Sequence, residues 1–527
     1  MTEESSKKNQ GDWRPAGNPW LIAVAVTLAA FMEVLDTTIV NVALPHIAGT
    51  MSASYDQATW VLTSYLVANS IVLPISGFFA RVIGRKRYFV ICIFAFTACS
   101  FLCGISTSLL QLIVFRVLQG FFGGGLQPNQ QSIILDTFPP AQRGRAFSLT
   151  AIATVVAPVL GPTLGGWITD SFSWRWVFLI NVPVGLLTGF AVMSLVEDPP
   201  WLKKQAGKLS IDYIGISLIT LTFASFQIML DRGEDADWFA SGFVRTFAIM
   251  AAVGCAAAVG WLLYTPKPVV DIRVLKDRNF ALGCGAIAVF ATILYGSAVL
   301  IPQLAQQHLG YTATLAGLVL SPGAFAIILM IPIVSLVSPY VQTRYVLGLG
   351  FFLMGVGLYY SRELTPDIDF RHLVWLRGAQ AIPLAFLFVP ASVLAYQSVP
   401  QKLQGDAAAL FTMFRNVAGS VGISLSTALI TSRTQTHMAY LSTHLSQSDA
   451  TFRNTLQQLT NAIRGIGTVA GDATQTAMGQ LYQNLIAQAG ILAYMDVFLY
   501  CAVMSFAFVP FTFLFSPVKK AGGGGAH

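Results

Sequence analysis

Two carboxylates and two arginines stand in runs of sequence that are otherwise apolar. Glu33 and Asp36 fall within Met32-Glu-Val-Leu-Asp-Thr-Thr-Ile-Val-Asn-Val-Ala-Leu-Pro45, and a spacing of three puts both on one face of a helix. Arg116 lies in Leu112-Ile-Val-Phe-Arg-Val-Leu-Gln-Gly120, with Gln119 and Gly120 one turn further on the same face. Arg415 and Asn416 lie in Phe411-x-x-x-Arg415-Asn416-x-x-Gly419-Ser420-x-Gly422. A charge near the centre of a bilayer costs about 2.5–3.5 kcal/mol on insertion scales, so each of these groups needs a partner or a task.

Arginine effectively never loses its proton. Arg116 therefore cannot carry an exchangeable proton, but it can hold a nearby carboxylate in its charged form and release that hold when helices rearrange. Asp36 is the partner expected for it, which makes Asp36, Arg116 and Glu33 the candidate proton-coupling residues. A fixed salt bridge tying two helices is the competing reading for Asp36 and Arg116. Glu33 lies nearer the helix start, so it either shares the coupling role or reaches the membrane interface. Gln119, Gln127, Arg415 and Asn416 are the candidate lining of a substrate cavity. Arg415 either favours anionic, lipophilic ligands there or ties two helices together.

The elements that must position these groups are membrane helices. The 527 residues are 55% hydrophobic and 10% charged, whereas a soluble domain carries about 25% charged residues. Cutting the chain into apolar runs of roughly 17–25 residues gives about fourteen segments: 20–45, 57–80, 88–107, 110–134, 143–169, 175–196, 210–230, 243–264, 279–302, 313–336, 341–361, 371–397, 405–432 and 490–515. The fold class expected is an all-α polytopic membrane protein. With the N-terminus inside, roughly twenty of the 31 Lys+Arg fall in cytoplasmic segments, and an even number of spans then puts both termini in the cytoplasm. No small-residue cleavage site follows a polar-to-apolar boundary near the N-terminus, so no removable signal peptide is expected. The basic residues are scattered over short loops, which argues against nucleic acid as a partner. Six cysteines lie in apolar runs without ligand spacing, and helix packing is their expected role. The six histidines do not cluster, so neither a metal site nor a cofactor is expected. No Gly-x-x-x-x-Gly-Lys-Ser/Thr word occurs, which disfavours ATP-driven pumping, and no enzyme is visible.

One helix is expected to pivot. In Ala157-Pro-Val-Leu-Gly-Pro-Thr-Leu-Gly-Gly166, Pro158 and Pro162 each remove a backbone donor, and a membrane bundle tolerates the resulting bend because neighbouring helices satisfy the freed carbonyls. Gly161, Gly165 and Gly166 leave one face nearly bare for close approach by another helix. Segment 433–489 is the longest polar stretch and lies outside the membrane by span parity. Its Phe452, Leu456, Leu459, Ile463 and Ile466 recur every three or four residues, as in an amphipathic helix whose exposed stripe would meet a partner or the membrane surface.

These words resemble those of a known family. Ala-Pro-x-x-Gly-Pro-x-x-Gly-Gly resembles the fifth-helix antiporter signature of major facilitator drug exporters, and Leu35 to Pro45 resembles the first-helix signature of the fourteen-helix drug:H+ antiporters. The word around Arg116 resembles the major facilitator motif Leu-x-x-x-Arg-x-x-Gln-Gly, and Trp174-Arg-Trp-Val-Phe-Leu-Ile-Asn-Val-Pro-Val-Gly185 closely resembles a word of the same antiporters, while Ile211 to Gly215, Gln227 to Gly233 and the word around Arg415 are similar to those of the EmrB-type exporters in that family. Gly77-Phe-Phe-Ala-Arg-Val-Ile-Gly-Arg-Lys-Arg87 resembles the family's Gly-x-Leu-Ala-Asp-Arg-x-Gly-Arg-Lys-Arg loop, with Arg81 replacing the aspartate. That departure leaves only turn and orientation roles for this loop. Gly123-Gly124-Gly125 and Pro128 resemble a small-residue face compatible with substrate lining. The resemblance implies a major facilitator fold, with two six-helix bundles plus two extra helices. Its parts are a cytoplasmic segment 1–19, a first bundle 20–196, a linker 197–209, an inserted pair 210–264, a second bundle 279–515 and a glycine-rich tail 516–527. The inserted pair is expected to pack peripherally. The resemblance further implies inner-membrane, proton-driven multidrug efflux and antibiotic resistance. Its partners would be lipophilic drug-like molecules, H+, the lipid bilayer, an EmrA-like periplasmic adaptor and an outer-membrane channel. Alternatives are proton-coupled import, export of an endogenous metabolite or fatty acid, and a transporter-like sensor without net flux.

Overall fold

A computed structural model of the chain describes residues 15–199, 211–337, 340–365, 368–443, 450–465 and 470–517. Among these the regular structure is helical. The N-terminal group comprises α1 (Pro19–Thr50), α2 (Tyr55–Ile83), α3 (Arg85–Gly104), α4 (Leu109–Gly123), α5 (Leu126–Thr137), α6 (Pro140–Ser171), the short α7 (Trp176–Leu179) and α8 (Asn181–Leu195). Then come α9 (Tyr213–Gly233) and α10 (Gly242–Tyr264). The C-terminal group comprises α11 (Arg278–Gln307), α12 (Ala313–Val337), α13 (Thr343–Tyr360), α14 (Phe370–Ala381), α15 (Phe388–Tyr396), α16 (Gln404–Ser442), α17 (Ala450–Gly465) and α18 (Ala470–Thr512).

Local sequence starts these helices where expected. Asn18, Ser54, Ser108, Asp212, Ser241 and Asp277 each accept a backbone N–H in the first turn that follows, which satisfies donors that have no partner inside the helix. Ser54 and Gln57 form a complete capping box. Gly84, at φ +98°, makes the sharp turn from α2 into α3, a backbone conformation that a side chain would strain.

Among the described residues twelve helical stretches are long and apolar enough to cross a membrane, with α4 and α5, α7 and α8, and α14 and α15 each counted as one, and the bent α6 makes a thirteenth. The run expected at 341–361 forms α13, 18 residues long. Apolar side chains cover the outer surface, among them Leu110, Val114 and Phe121 on α4, Leu187 and Phe190 on α8, and Val253 and Leu263 on α10. In a bilayer that exposure is favourable, so the helices are held together by close packing and buried polar contacts.

Glycines supply the close packing. On α4 and the turn after it, a Cβ on Gly120 would lie 2.3 Å from the Tyr65 carbonyl oxygen, and one on Gly124 2.7 Å from that of Asn69. The Gly123-Gly124-Gly125 face therefore seats α2 and α3, which corrects its expected use as substrate lining. In α6, Gly161 and Gly165 seat Thr38 and Ile39 of α1, and Gly166 is buried. The helix bends by 45° between Pro158 and Leu160, and the Thr38 hydroxyl donates to the Ala157 carbonyl there at 3.4 Å. On its other side α6 meets α12, where a Cβ on Gly317 would press on Thr163. The expected pivot thus lies between the two groups of helices.

Two sequence expectations change. The inserted pair is not wholly peripheral. While α10 is largely exposed, α9 packs on α2 and also on α16, so it wedges into the seam between the groups. Ser70 donates to Gln227 at 3.4 Å from the α2 side, and Ser424 of α16 donates to the Leu230 carbonyl at 2.5 Å. Segment 433–489 is largely helical where described. α16, at 39 residues, runs about 58 Å, well beyond a hydrocarbon core of about 30 Å. The amphipathic helix exists as α17, but its stripe is not free. Leu456, Leu459 and Ile463 pack on Ala473 and Ala477 of α18, because the chain's own next helix is the nearest apolar surface. Ile466 lies outside the described residues. Cys255 likewise departs from its expected packing role, since it is exposed on α10, whereas Cys92, Cys99, Cys103 and Cys284 are buried.

Replacing Gly120 by alanine forces the α2 backbone away from α4, because a carbonyl cannot rotate aside. The expected loss is about 1–3 kcal/mol, the usual penalty of overpacking. Thermal melting of the purified protein checks it. Gly260→Ala, where no atom lies within 4 Å, should leave the melting temperature in place.

Candidate functional site

Asp36 and Arg116 meet as expected. Arg116 Nη1 lies 2.6 Å from Asp36 Oδ2, and both side chains are wholly buried. α1 brings the carboxylate and α4 the guanidinium, and the glycine face of α4 lets α2 close over them. The Arg116 Nε–H donates to the Val61 carbonyl of α2 at 3.1 Å. Its guanidinium also stacks 4.0 Å over the Tyr65 ring, a further electrostatic attraction for a buried cation.

Neutral amides complete the site. Gln119 Nε2 donates to Asp36 Oδ1 at 3.0 Å, and its Oε1 accepts from Arg116 at 2.9 Å. Asn181, at the start of α8, donates to the same Asp36 oxygen at 2.8 Å and to Ser100 at 3.1 Å. Gln119 is therefore a member of the ion-pair network, having been expected in the substrate cavity. The same contacts serve a structural tie and a switchable pair.

Glu33 does not reach the interface. It is 2% exposed, and accepts hydrogen bonds from Tyr65 at 3.3 Å, from Asn69 at 3.0 Å and from Gln127. One turn of α1 thus presents two carboxylates to two different networks, joined through Tyr65, whose ring faces Arg116 and whose hydroxyl faces Glu33. On the far side of the seam, Arg415 of α16 is 1% exposed and bonds Asn416 at 3.2 Å and Thr154 of α6 at 3.4 Å. Thr154 belongs to α6, which packs along α1, so this contact brings Arg415 to the helix that lies against Glu33's own. Glu33, Gln127, Arg415 and Asn416 therefore lie in one polar layer shared by both groups of helices.

Several contributors were not singled out in the sequence. Tyr65, Asn69 and Asn181 are polar residues in apolar runs, a signal too common to select them. Asp231 of α9 is a further buried carboxylate, held by Gln227 at 2.8 Å, with its other oxygen unbonded among the described residues. Arg377 had a sharper signal. It lies in Leu373-Val-Trp-Leu-Arg-Gly-Ala-Gln-Ala381, which repeats the Leu-x-x-x-Arg-x-x-Gln-small spacing around Arg116.

The loop after α2 does more than turn. Arg81 pairs with Asp406 at the start of α16 and donates to the Val269 carbonyl at 3.2 Å. Arg85 pairs with Asp136, and Asp198 accepts the Lys86 N–H at 2.7 Å. Tyr396 of α15 donates to Gln131 of α5 at 2.6 Å, close to the Phe147–Tyr396 ring stack. This end of the seam is closed. The expectation that Arg81 has only a turn and orientation role is corrected, because the charge that replaces the family's aspartate finds an aspartate opposite.

A helical bundle of this kind, split by a seam and carrying buried charges on both sides, is the architecture of a membrane transporter. The family model of the Major Facilitator Superfamily matches residues 26–422. The chain is 34% identical to the multidrug export protein EmrB of Escherichia coli over 96% of its own length and 97% of that protein's. It is 33% identical to the fatty acid resistance protein FarB of Neisseria gonorrhoeae, with the same coverage. In fold it is similar to a bacterial homologue of the human lysosomal transporter Spinster, with a TM-score of 0.53 at 16% identity over 94% of this chain and 98% of that one. The chain belongs to the Major Facilitator Superfamily, within its EmrB-type group. It is a multi-pass membrane transporter and not an enzyme.

Arg116→Gln should leave Asp36 charged among amides and lower stability by about 3–5 kcal/mol, the usual cost of an orphaned buried charge. Adding Asp36→Asn removes the orphan and should recover more than half of the loss in thermal melting. A double variant as unstable as Arg116→Gln alone would mean that the network does not depend on the pair.

Proposed function

We propose that this protein exports lipophilic, drug-like compounds across the inner membrane in exchange for protons. The observation that carries the reading is the Asp36–Arg116 pair, wholly buried and ringed by neutral amides. Protonation of Asp36 cancels the charge that holds Arg116, so α1 and α4 lose their strongest tie. The halves, residues 20–196 and 279–515 with the pair 210–264 inserted between them, then rock about α6, whose bend and glycine contacts with α1 suit a pivot. Drug and proton drive this exchange only through different affinities for the two states. Glu33, through Tyr65, lies on the route between the ion pair and the polar layer formed with Gln127, Arg415 and Asn416.

The Arg81–Asp406 pair supports a second element of the cycle. By the positive-inside rule its end of the bundle is cytoplasmic, and both termini lie on that side. Opening to the cytoplasm then requires this pair to part. The helices that project beyond the opposite surface, α17 with the adjoining ends of α16 and α18, suit contact with a periplasmic adaptor and, through it, an outer-membrane channel. The names of the relatives, multidrug export and fatty acid resistance, favour broad apolar substrates. Export of a fatty acid or related metabolite is the second reading, favoured by the cationic Arg415 in the polar layer.

Two measurements test this reading. Purified chain in liposomes, given a pH gradient and an ethidium load, should move dye, and Asp36→Asn should lose at least 90% of that movement. Full gradient-driven transport by Asp36→Asn would remove Asp36 from the coupling step. For the closure, Asp406→Arg places two cations face to face and should raise the reactivity of a cysteine introduced at Gln131 toward a thiol reagent added from the cytoplasmic side. Adding Arg81→Asp should restore protection. Equal reactivity in all three proteins would show that the pair does not hold this end shut.

A further inference from the structure

The pair of charges in the N-terminal half has an incomplete counterpart in the C-terminal half. Arg116 and Asp36 are 80 residues apart in sequence, with Gln119 three residues beyond the arginine. Arg377 bonds Ser297, also 80 residues before it, and Gln380, three residues beyond it. In both halves the arginine uses Nη1 for both contacts, at 2.6 and 2.9 Å in the first and at 3.1 and 3.3 Å in the second. Ser297 of α11 thus stands where Asp36 stands in α1. The repeat keeps the cation and the amide, and loses the carboxylate.

Arg377 is wholly buried. Among the described residues its Nε and Nη2 have no hydrogen-bond partner, no carboxylate pairs with it and no ring stacks under it. An arginine so placed keeps its charge, and a buried charge without a counter-ion is costly. Nε and Nη2 form one edge of the guanidinium, the edge that takes both oxygens of a carboxylate in two parallel bonds. α14 ends at Ala381 and gives way at once to a 3-10 stretch, Ile382–Phe386, before α15 resumes the span. Such a break within a membrane span is a place where a helix yields. Beside the arginine, α12 packs closely on α14 at Gly323, where a Cβ would lie 2.9 Å from Ala381 Cβ and 3.6 Å from Arg377 Cγ, so in this state the approach is shut.

We propose that Arg377, with Ser297 and Gln380, is the receiving site for the carboxylate of a lipophilic acid, which supplies the charge that the protein lacks there. The site opens when α14 moves at its break, and the aliphatic part of the ligand lies against the apolar core between α11, α12 and α14. The proposal rests on the transporter reading for the ligand's entry, but binding itself requires neither flux nor a proton gradient. Arg415, already bonded to Asn416 and Thr154, has less of its guanidinium available for the same task.

The test uses the full chain purified in detergent with laurate as the carboxylate probe, read by the shift in melting temperature and by displacement of radiolabelled laurate. The key variant is Ser297→Asp, which builds into the C-terminal half the carboxylate found in the other. It should weaken laurate at least tenfold, and Arg377→Gln should do the same. Arg377→Lys, which keeps the charge but not the two-bond edge, should fall between them and the wild type. In liposomes, the ratio of laurate to ethidium transport should fall at least tenfold in Ser297→Asp. Unchanged laurate affinity in a Ser297→Asp protein that elutes as a single species would overturn the proposal. So would a wild-type site that takes an adventitious ion only, seen as a melting shift with chloride and no specific binding of labelled laurate. Loss of ethidium transport with laurate binding intact in the wild type would count against the export reading and leave the site standing.

Discussion

A guanidinium that cannot shed its proton must be answered by something in a low-dielectric interior, and much of the N-terminal half is built to answer Arg116. Asp36 supplies the charge, Gln119 and Asn181 hold that carboxylate from its other oxygen, Val61 gives a carbonyl and Tyr65 a ring face. Each contact requires a helix to lie close. α4 reaches α2 only because Gly120 has no side chain, and α6 reaches α1 only through Gly161 and Gly165. The glycine faces and the ion pair are therefore one design. The packing that brings the charges together is the packing that any change in their state would disturb.

The same logic explains where the two halves touch. At the closed end the contacts are an ion pair, a phenol on an amide and a ring stack, all small and all separable. Beyond the bend of α6, Thr163 meets Gly317 in the first turns of α12, where a Cβ on the glycine would press on it. α9 adds a third kind of connection. It bonds α2 through Gln227 and α16 through the Leu230 carbonyl, so it touches both halves at the seam.

Much of this was legible in the sequence, for a physical reason. A charge inside an apolar run is rare enough to demand a partner, so Asp36, Arg116 and Arg415 stood out, and the Asp36–Arg116 pairing followed from there being few candidates. The bend of α6 and its bare face were legible because proline and glycine act through the backbone, independently of context. Glu33 was ambiguous because depth in a bilayer cannot be read from position in a helix whose tilt is unknown. The packing of α17 was missed because periodicity reports that a helix has an apolar face but not what covers it. Arg81 was undervalued because its partner Asp406 lies 325 residues away, and sequence alone gives no sign that a lost charge has been replaced by its opposite across the seam.

Arg377 teaches a different lesson. Its spacing from Gln380 repeats that of Arg116 and Gln119, and the repeat is plain once the two are set side by side. What the repeat conceals is the difference between the halves. Two arginines in equivalent places impose the same electrostatic demand, yet among the described residues one is met by a carboxylate and the other is not. If the second were only architectural, a neutral side chain would fill its place at lower cost, since a well-packed apolar group commonly replaces a buried ion without loss. Retaining the cation while substituting serine for its partner is economical only if the missing charge arrives from outside. Under the proposed roles the asymmetry would divide labour between the halves, the proton answered by the one with its own carboxylate and the anion by the one without.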